Sequence, residues 1–241
     1  MTPVASFTAV RYSPARAVLG AAHMATQPPL LRRVPGLRFA KLMGTGAGIG
    51  FSAVPDLRTW ALFAAWETAE DWERFRRGSE VMRQYERRGE EVYSLLLRPT
   101  AAHGRWSGVE PFGQVDAAAD HAARGEPVVV LTRAAIRLLR ALRFWSRVDP
   151  VNRTLRGHPD LLLSFGAGEA PWLRQATLSV WRSRAAMEDW AYRTPEHRET
   201  IRRTREEGWY AEELFARFRL LGSYGTLDGR DPLRAPPPGS P

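Results

Sequence analysis

The chain has 241 residues, a formal net charge of +9, 44% apolar residues and no cysteine, enough to bury one large core or two small fused ones without covalent staples. The missing cysteine excludes disulfides, zinc thiolate sites, iron–sulfur clusters, cysteine nucleophiles and thiolate-ligated haem. Of its 35 basic residues only Lys41 is lysine, so the charge reads as an arginine bias of composition, not as a nucleic-acid footprint, and only local arginine clusters carry meaning.

No apolar run reaches the roughly 18 residues that span a bilayer, and the first residues, Met1 to Ser6, lack the charged and apolar regions of a signal peptide. The expected location is the cytoplasm. Along the chain, alternation predicts a strand over 4–12, a short helix over 15–24, strands over 37–43 and 59–66, and a strand over 92–97. Thr68 with Asp71 forms a capping box for a helix over 69–88. A short helical linker is expected over 117–124. Strands over 127–132, 160–165, 175–181 and 212–221 follow, with a helix over 133–148 and a broken helix over 184–207. Five prolines in 231–241 read as a disordered tail.

Two stretches say nearly the same thing. Ala61-Leu62-Phe63-Ala64-Ala65-Trp66, with Phe75 nine residues on, recurs as Ala176-Thr177-Leu178-Ser179-Val180-Trp181, with Trp190 nine residues on. Each copy follows a Gly-x-Gly turn, at Gly44 and at Gly166. An internal repeat decides fold before local patterns do. Each copy orders its elements β-α-β-β-α-β, the ferredoxin-like arrangement. The expected class is therefore α+β, with duplicated ferredoxin-like units fused into a dimeric α+β barrel whose interior is the natural pocket. The boundaries are 1–116 for the first unit, 117–126 for the linker, 127–229 for the second unit and 230–241 for the tail.

Nucleophile elbows, zinc helices and P-loops are absent. The glycines from Gly44 to Gly50 miss the dinucleotide spacing, since its third glycine falls on Ile49; they read as a flexible connection over a pocket mouth. His23, His121 and His158 sit in a short helix, the linker and a turn, where a solvated or locally bonded ring is the default. His103, near Arg105 and Trp106, is second choice. His197 stands apart: Thr194, Pro195 and Glu196 start a helix so charged that only His197, Ile201 and Thr204 can face inward. The first copy has Met82 at that position, so the fold itself requires no histidine there. A buried ring bonded to a carbonyl is the bland alternative.

The helix expected over 133–148 has one apolar face, Ala135, Leu138, Leu139, Leu142 and Trp145, opposite Arg133, Arg137, Arg140, Arg143 and Arg147. Ile136 and Phe144 lie among those arginines. Such a surface suits a partner or a lipid headgroup layer, or else an ordinary core-facing helix.

Four stretches, Leu37 to Phe51, Arg105 to Phe112, Leu131 to Arg137 and Gly208 to Gly222 with its Glu-Glu-Leu-Phe-Ala-Arg-Phe run, resemble the spheroidene monooxygenase family of carotenoid biosynthesis. The resemblance covers nearly the whole chain apart from the termini. It implies an oxygen-dependent enzyme, with haem, that oxidises C2 of acyclic carotenoids to a ketone using electrons from an external donor protein. It also implies a dimeric α+β barrel. It supplies no catalytic residues. With thiolate ligation excluded, histidine or tyrosine remains as the axial ligand to haem iron: His197 first, His103 in reserve, Tyr210 third. The substrate of such an enzyme is insoluble, which implies peripheral attachment to the inner face of the cell membrane through Arg133, Ile136, Arg137, Arg140, Arg143 and Phe144. A haem barrel acting on peroxide or another small molecule, and a non-catalytic barrel holding an apolar ligand, stay open as alternatives.

Overall fold

A computed structural model describes residues 2–113, 115 and 125–234. Strands β1 (Val4–Arg11), β2 (Leu37–Gly46), β3 (Pro55–Trp66) and β4 (Glu91–Gly104) come from the first half, and β5 (Val128–Ile136), β6 (Leu161–Ala170), β7 (Arg174–Trp181) and β8 (Tyr210–Gly225) from the second. All neighbours are antiparallel, and they close a barrel in the order β1-β3-β2-β6-β7-β5-β8-β4. Outside the wall lie α1 (Ala17–Thr26), α2 (Pro28–Leu31), α3 (Ala69–Gly78), α4 (Glu80–Arg88), α5 (Ala141–Leu155), α6 (Arg184–Arg193) and α7 (Pro195–Glu207). The helix expected over 69–88 is two helices, because Ser79 leaves helical geometry and caps the second by accepting from the Met82 N–H.

The two repeated tryptophans have matching surroundings. Trp66 pairs with Val4 and Leu37, and Trp181 with Val128 and Leu161. Each indole donates to a serine, Ser6 in one half and Ser179 in the other. Each ring packs on the aromatic nine residues later, Phe75 at 4.8 Å and Trp190 at 5.3 Å.

The repeat also extends past the closing strands, where the sequence reading stops. After β4 the chain turns through Gly104, Trp106, Ser107 and Gly108; after β8 it turns through Gly225, Leu227, Asp228 and Gly229. Both turns carry positive φ at the same places, 55° at Ser107 and Asp228, 76° at Gly108 and 75° at Gly229. Each is clasped by a glutamate from the other half. Glu212 accepts the N–H groups of Ser107 and Gly108, and Glu91 those of Asp228 and Gly229. Glycine is obligatory where each turn begins, since a Cβ on Gly104 would lie 2.1 Å from the Glu213 carbonyl and one on Gly225 1.9 Å from that of Val92. The motif Glu110-Pro111-Phe112 recurs as Asp231-Pro232-Leu233. Residues 230–234, assigned to the tail by the sequence reading, therefore belong to this closing segment, and Asp231 is tied to Tyr93 and Ser223. The helical linker expected over 117–124, and 235–241, lie outside the described residues.

Among the described residues the barrel interior is largely packed. Phe7, Phe63, Tyr93, Phe165 and Phe218 fill it, and Trp106 and Phe112 plug one end, fully buried.

The largest departure from the sequence reading is at 133–148. The strand runs on to Ile136, and α5 begins only at Ala141. Apolar residues at helical spacing suggested one helix, but β5 must match the long β8 beside it, residue for residue from Val128 to Ala135.

Candidate active site

Differences between the halves locate the sites, because what the fold needs is present in both. In the first half the outer sheet residues Ser6, Thr8, Leu62 and Ala64 are sealed under α1–α4 in one continuous cluster. Their second-half counterparts Val130, Thr132, Thr177 and Ser179 remain half-exposed. There the helices touch the sheet at two separate places. Phe144 and Val148 of α5 meet Ala134 and Ile136; Met187 of α6 meets Val128 and Trp181. No residue of α7 is fully buried. The outer face of the second half is therefore less covered than that of the first.

His197 stands near the start of α7 and Tyr210 at the start of β8, both in this less covered half. The His197 ring stacks on Trp190 at 4.4 Å, and its Nδ1–H donates to the Ala191 carbonyl at 2.8 Å. That bond fixes the tautomer and leaves Nε2 with a lone pair. Burial holds the imidazole pKa below its ordinary value, only partly offset by the carbonyl. The ring is therefore neutral near pH 7, the state that ligates metals. The inward face expected of this helix, His197, Ile201 and Thr204, is half-buried. Tyr210 hydrogen-bonds Thr204, and burial pushes its phenol up to about 12, which disfavours the phenolate an iron ligand would be.

The remaining histidines fall elsewhere. His103 is exposed at the β4–β8 seam opposite Phe215. His158 accepts the Asp160 N–H and packs on Trp181. His23, expected to be solvated or locally bonded, is buried between Tyr12 and Tyr85 with the Tyr12 hydroxyl 2.7 Å from Nδ1. His121 lies outside the described residues.

A second opening follows from the unequal plugs. Leu227 and Leu233 stand where the other end has Trp106 and Phe112. At the Leu227 end a cavity of about 350 Å³ remains, walled by Leu161, Leu162, Leu163, Phe165, Ile49 and Leu227 and rimmed by Arg11, Asp56 and Asp228. The glycine-rich connection after β2 lies at its mouth, as the sequence reading expects. The seam is open there, since β2 and β6 pair through only Gly44–Gly168 and Thr45–Ala167. Ile49 and Leu161 also pack into the Trp181–Trp190 cluster on which His197 stacks, so the slot and the His197 site share a wall. Nothing local in the sequence marks this slot; only comparison of the two closing segments reveals it.

Three residues assigned to a membrane contact are buried instead. Arg133 lies inside the barrel at 2% exposure, bound to Glu212, 3.6 Å from Glu169 and over the Trp106 ring. Trp106 donates to Glu169 at 2.6 Å, and Lys41 pairs with the same carboxylate at 2.8 Å. This lattice locks the plug. Ile136 and Phe144 pack against Trp209 behind the surface. Arg137 and Arg143 are exposed and Arg140 half-exposed.

No family model matches the chain. It is 41% identical over 199 residues to the spheroidene monooxygenase of Rhodobacter capsulatus, spanning 83% of this chain and 82% of that protein. It is 38% identical over 196 residues to that of Rubrivivax gelatinosus, spanning 81% and 73%. With the spheroidene monooxygenase of Cereibacter sphaeroides it shares 35% identity over 201 residues, 83% of this chain and 61% of that one. Among solved structures, an aldoxime dehydratase superposes with a TM-score of 0.61 at 13% identity over 91% of this chain and 81% of its own. Another, in complex with butyraldoxime, does so with a TM-score of 0.59 at 11% identity, over 91% and 79%. At such identities the likeness is one of fold.

Proposed function

The chain belongs to the spheroidene monooxygenase family and is an oxidoreductase, and from that premise we propose that it oxidises C2 of an acyclic carotenoid to the 2-keto product. The identity to the Rhodobacter capsulatus protein over most of both chains carries this reading. In the same reading the barrel is two ferredoxin-like units fused in one chain; the matched Trp66 and Trp181 pairings and the matched closing turns support it.

A C2 methylene is unactivated and non-acidic, so no protein base can start the reaction. Haem, when bound, supplies the oxygen-activating chemistry, with electrons from an external donor. His197 would hold that group: it offers a neutral Nε2 lone pair, oriented by the Ala191 carbonyl and braced by Trp190. In the closed first half the counterpart, Met82, is buried in the core.

The slot fits the end of the polyene. Its volume is at the lower end of ligand pockets, about 300–1,000 Å³, so it takes a terminal segment while the rest of the chain stays outside. Leu161, Leu162, Leu163 and Phe165 bind that segment by burial and exclude water. C2 lies near the end of the molecule, where an end-holding slot positions it best. Ketone formation takes two successive hydroxylations at one carbon followed by loss of water, so holding the end through both favours the ketone over the alcohol.

Expression in cells that accumulate acyclic carotenoids, with extraction and mass analysis, tests the reading. The expected product is heavier by one oxygen and lighter by two hydrogens. Unchanged carotenoid beside soluble, folded protein would overturn it.

A further inference from the structure

We propose that the end of the barrel formed by residues 137–142 and the β6–β7 turn docks on anionic lipid bilayers. Leu138, Leu139 and Leu142 are 73%, 93% and 88% exposed, and Trp172 in the β6–β7 turn is 61% exposed. These side chains share one surface, because the Ile136 N–H donates to the Leu173 carbonyl at 2.7 Å and the Trp145 indole to the Trp172 carbonyl at 3.1 Å. Scattered single apolar residues are ordinary on a protein surface; four at one tip are not.

The tip is built to protrude. Trp172 holds a φ of 63°, a left-handed conformation unfavourable for a bulky residue, and its ring still gains no burial. Directly behind, Ile136, Phe144 and Trp209 anchor the segment in a packed cluster. The leucines therefore project from a rigid base.

The choice of occupant rests on the carotenoid reading together with shape and charge. Side chains this exposed stand apart, so a protein partner would need a separate pit for each, whereas fluid acyl chains need no matching shape. Arg137, Arg140 and Arg143 alternate with the leucines at headgroup level. Arg143 pairs with the Glu207 carboxylate at 2.9 Å, and Arg137 donates to the Tyr210 carbonyl. Net positive charge around an apolar tip selects anionic lipid. This is the reverse of the orientation expected from sequence: the leucines of the supposed core face point outward, while Ile136 and Phe144 point in.

The test uses the full chain and carotenoid-free vesicles, either pure phosphatidylcholine or phosphatidylcholine with phosphatidylglycerol, read by flotation. Wild-type protein should float with the anionic vesicles and much less with the neutral ones. Leu139→Asp with Leu142→Asp should lower binding about tenfold or more, while Val54→Asp, on another exposed apolar residue, in the β2–β3 connection, should not. Arg137→Gln with Arg140→Gln should erase the preference for anionic vesicles. Wild type that stays in solution, a double aspartate variant that floats like wild type, or equal loss in Val54→Asp would each overturn the proposal. So would loss of binding to an electron-transfer protein, instead of to vesicles, in the leucine variants. Because the vesicles hold no carotenoid, failure of the oxidation assay leaves this result intact, and oxidation in detergent micelles stays testable if docking fails.

Discussion

Replacing Trp106 by Ala tests the unequal plugs that define the slot. Trp106 is fully buried, stacked on Phe63 at 5.4 Å with Phe39 at the same distance, and its indole donates to Glu169 at 2.6 Å. Truncating a buried aromatic costs about 3–5 kcal/mol, and leaving the Glu169 carboxylate short of a donor adds about 1–2 kcal/mol. At about 2–4 °C per kcal/mol for a chain of this size, the loss is a drop of roughly 10–25 °C in Tm. Leu227, its counterpart, is half-buried beside an existing cavity, so Leu227→Ala should cost only about 1 kcal/mol. Thermal unfolding followed by far-UV circular dichroism gives both numbers. If Trp106→Ala does not fold, Trp106→Phe keeps the stacking, loses the Glu169 bond and should still melt clearly below wild type. Equal costs at the two positions, or a larger one at Leu227, would refute the claim that one end is plugged and the other open.

Glu212→Ala should cost about 3 kcal/mol, because it leaves the buried Arg133 guanidinium with Glu169 alone, 3.6 Å away, whereas Glu91→Ala, which leaves the partly exposed Arg11 its pair with Asp228, should cost about 1 kcal/mol; urea unfolding separates them. Leu227→Trp should fill the slot and cut carotenoid conversion at least tenfold while Tm holds or rises. His197→Ala should abolish haem absorbance in reconstituted protein, and His103→Ala should leave it unchanged; retention in both would remove His197 from the reading. Burial lowers the pKa of both His23 and His197 below the unfolded value near 6.5. The unfolded chain then takes up protons first as pH falls, so stability is full above about pH 6.5 and declines below it. Urea midpoints at falling pH should show this slope, shallower in His23→Asn.

The barrel was legible because its signals are local and duplicated. Trp66 and Trp181 with their following aromatics mark equivalent corners, and alternation on the strands survives in both copies. The closing segments were missed because their repeat lies in backbone shape: Trp106-Ser107-Gly108 and Leu227-Asp228-Gly229 share only one residue type. Arg133 was misread because its partners, Glu169 and Glu212, are distant in the chain; without them an inward arginine violates the strand pattern and a helix looks better. The face of 137–142 was inverted for the same reason, since extending the helix back to Arg133 rotated every later residue. His197 stands out in the sequence because the first copy has Met82 in its place. The thinner cover over the second half emerges only when the burial of both sheet faces is compared.

The measurement that bears most directly on the whole account is carotenoid analysis of spheroidene-accumulating cells expressing either the wild type or Leu227→Trp. The wild type should give the 2-keto product, and Leu227→Trp should leave spheroidene almost unconverted despite equal amounts of folded protein. Full conversion by Leu227→Trp would show that the substrate does not use the slot. No conversion by the wild type, with an electron donor and oxygen present, would contradict the assigned reaction itself.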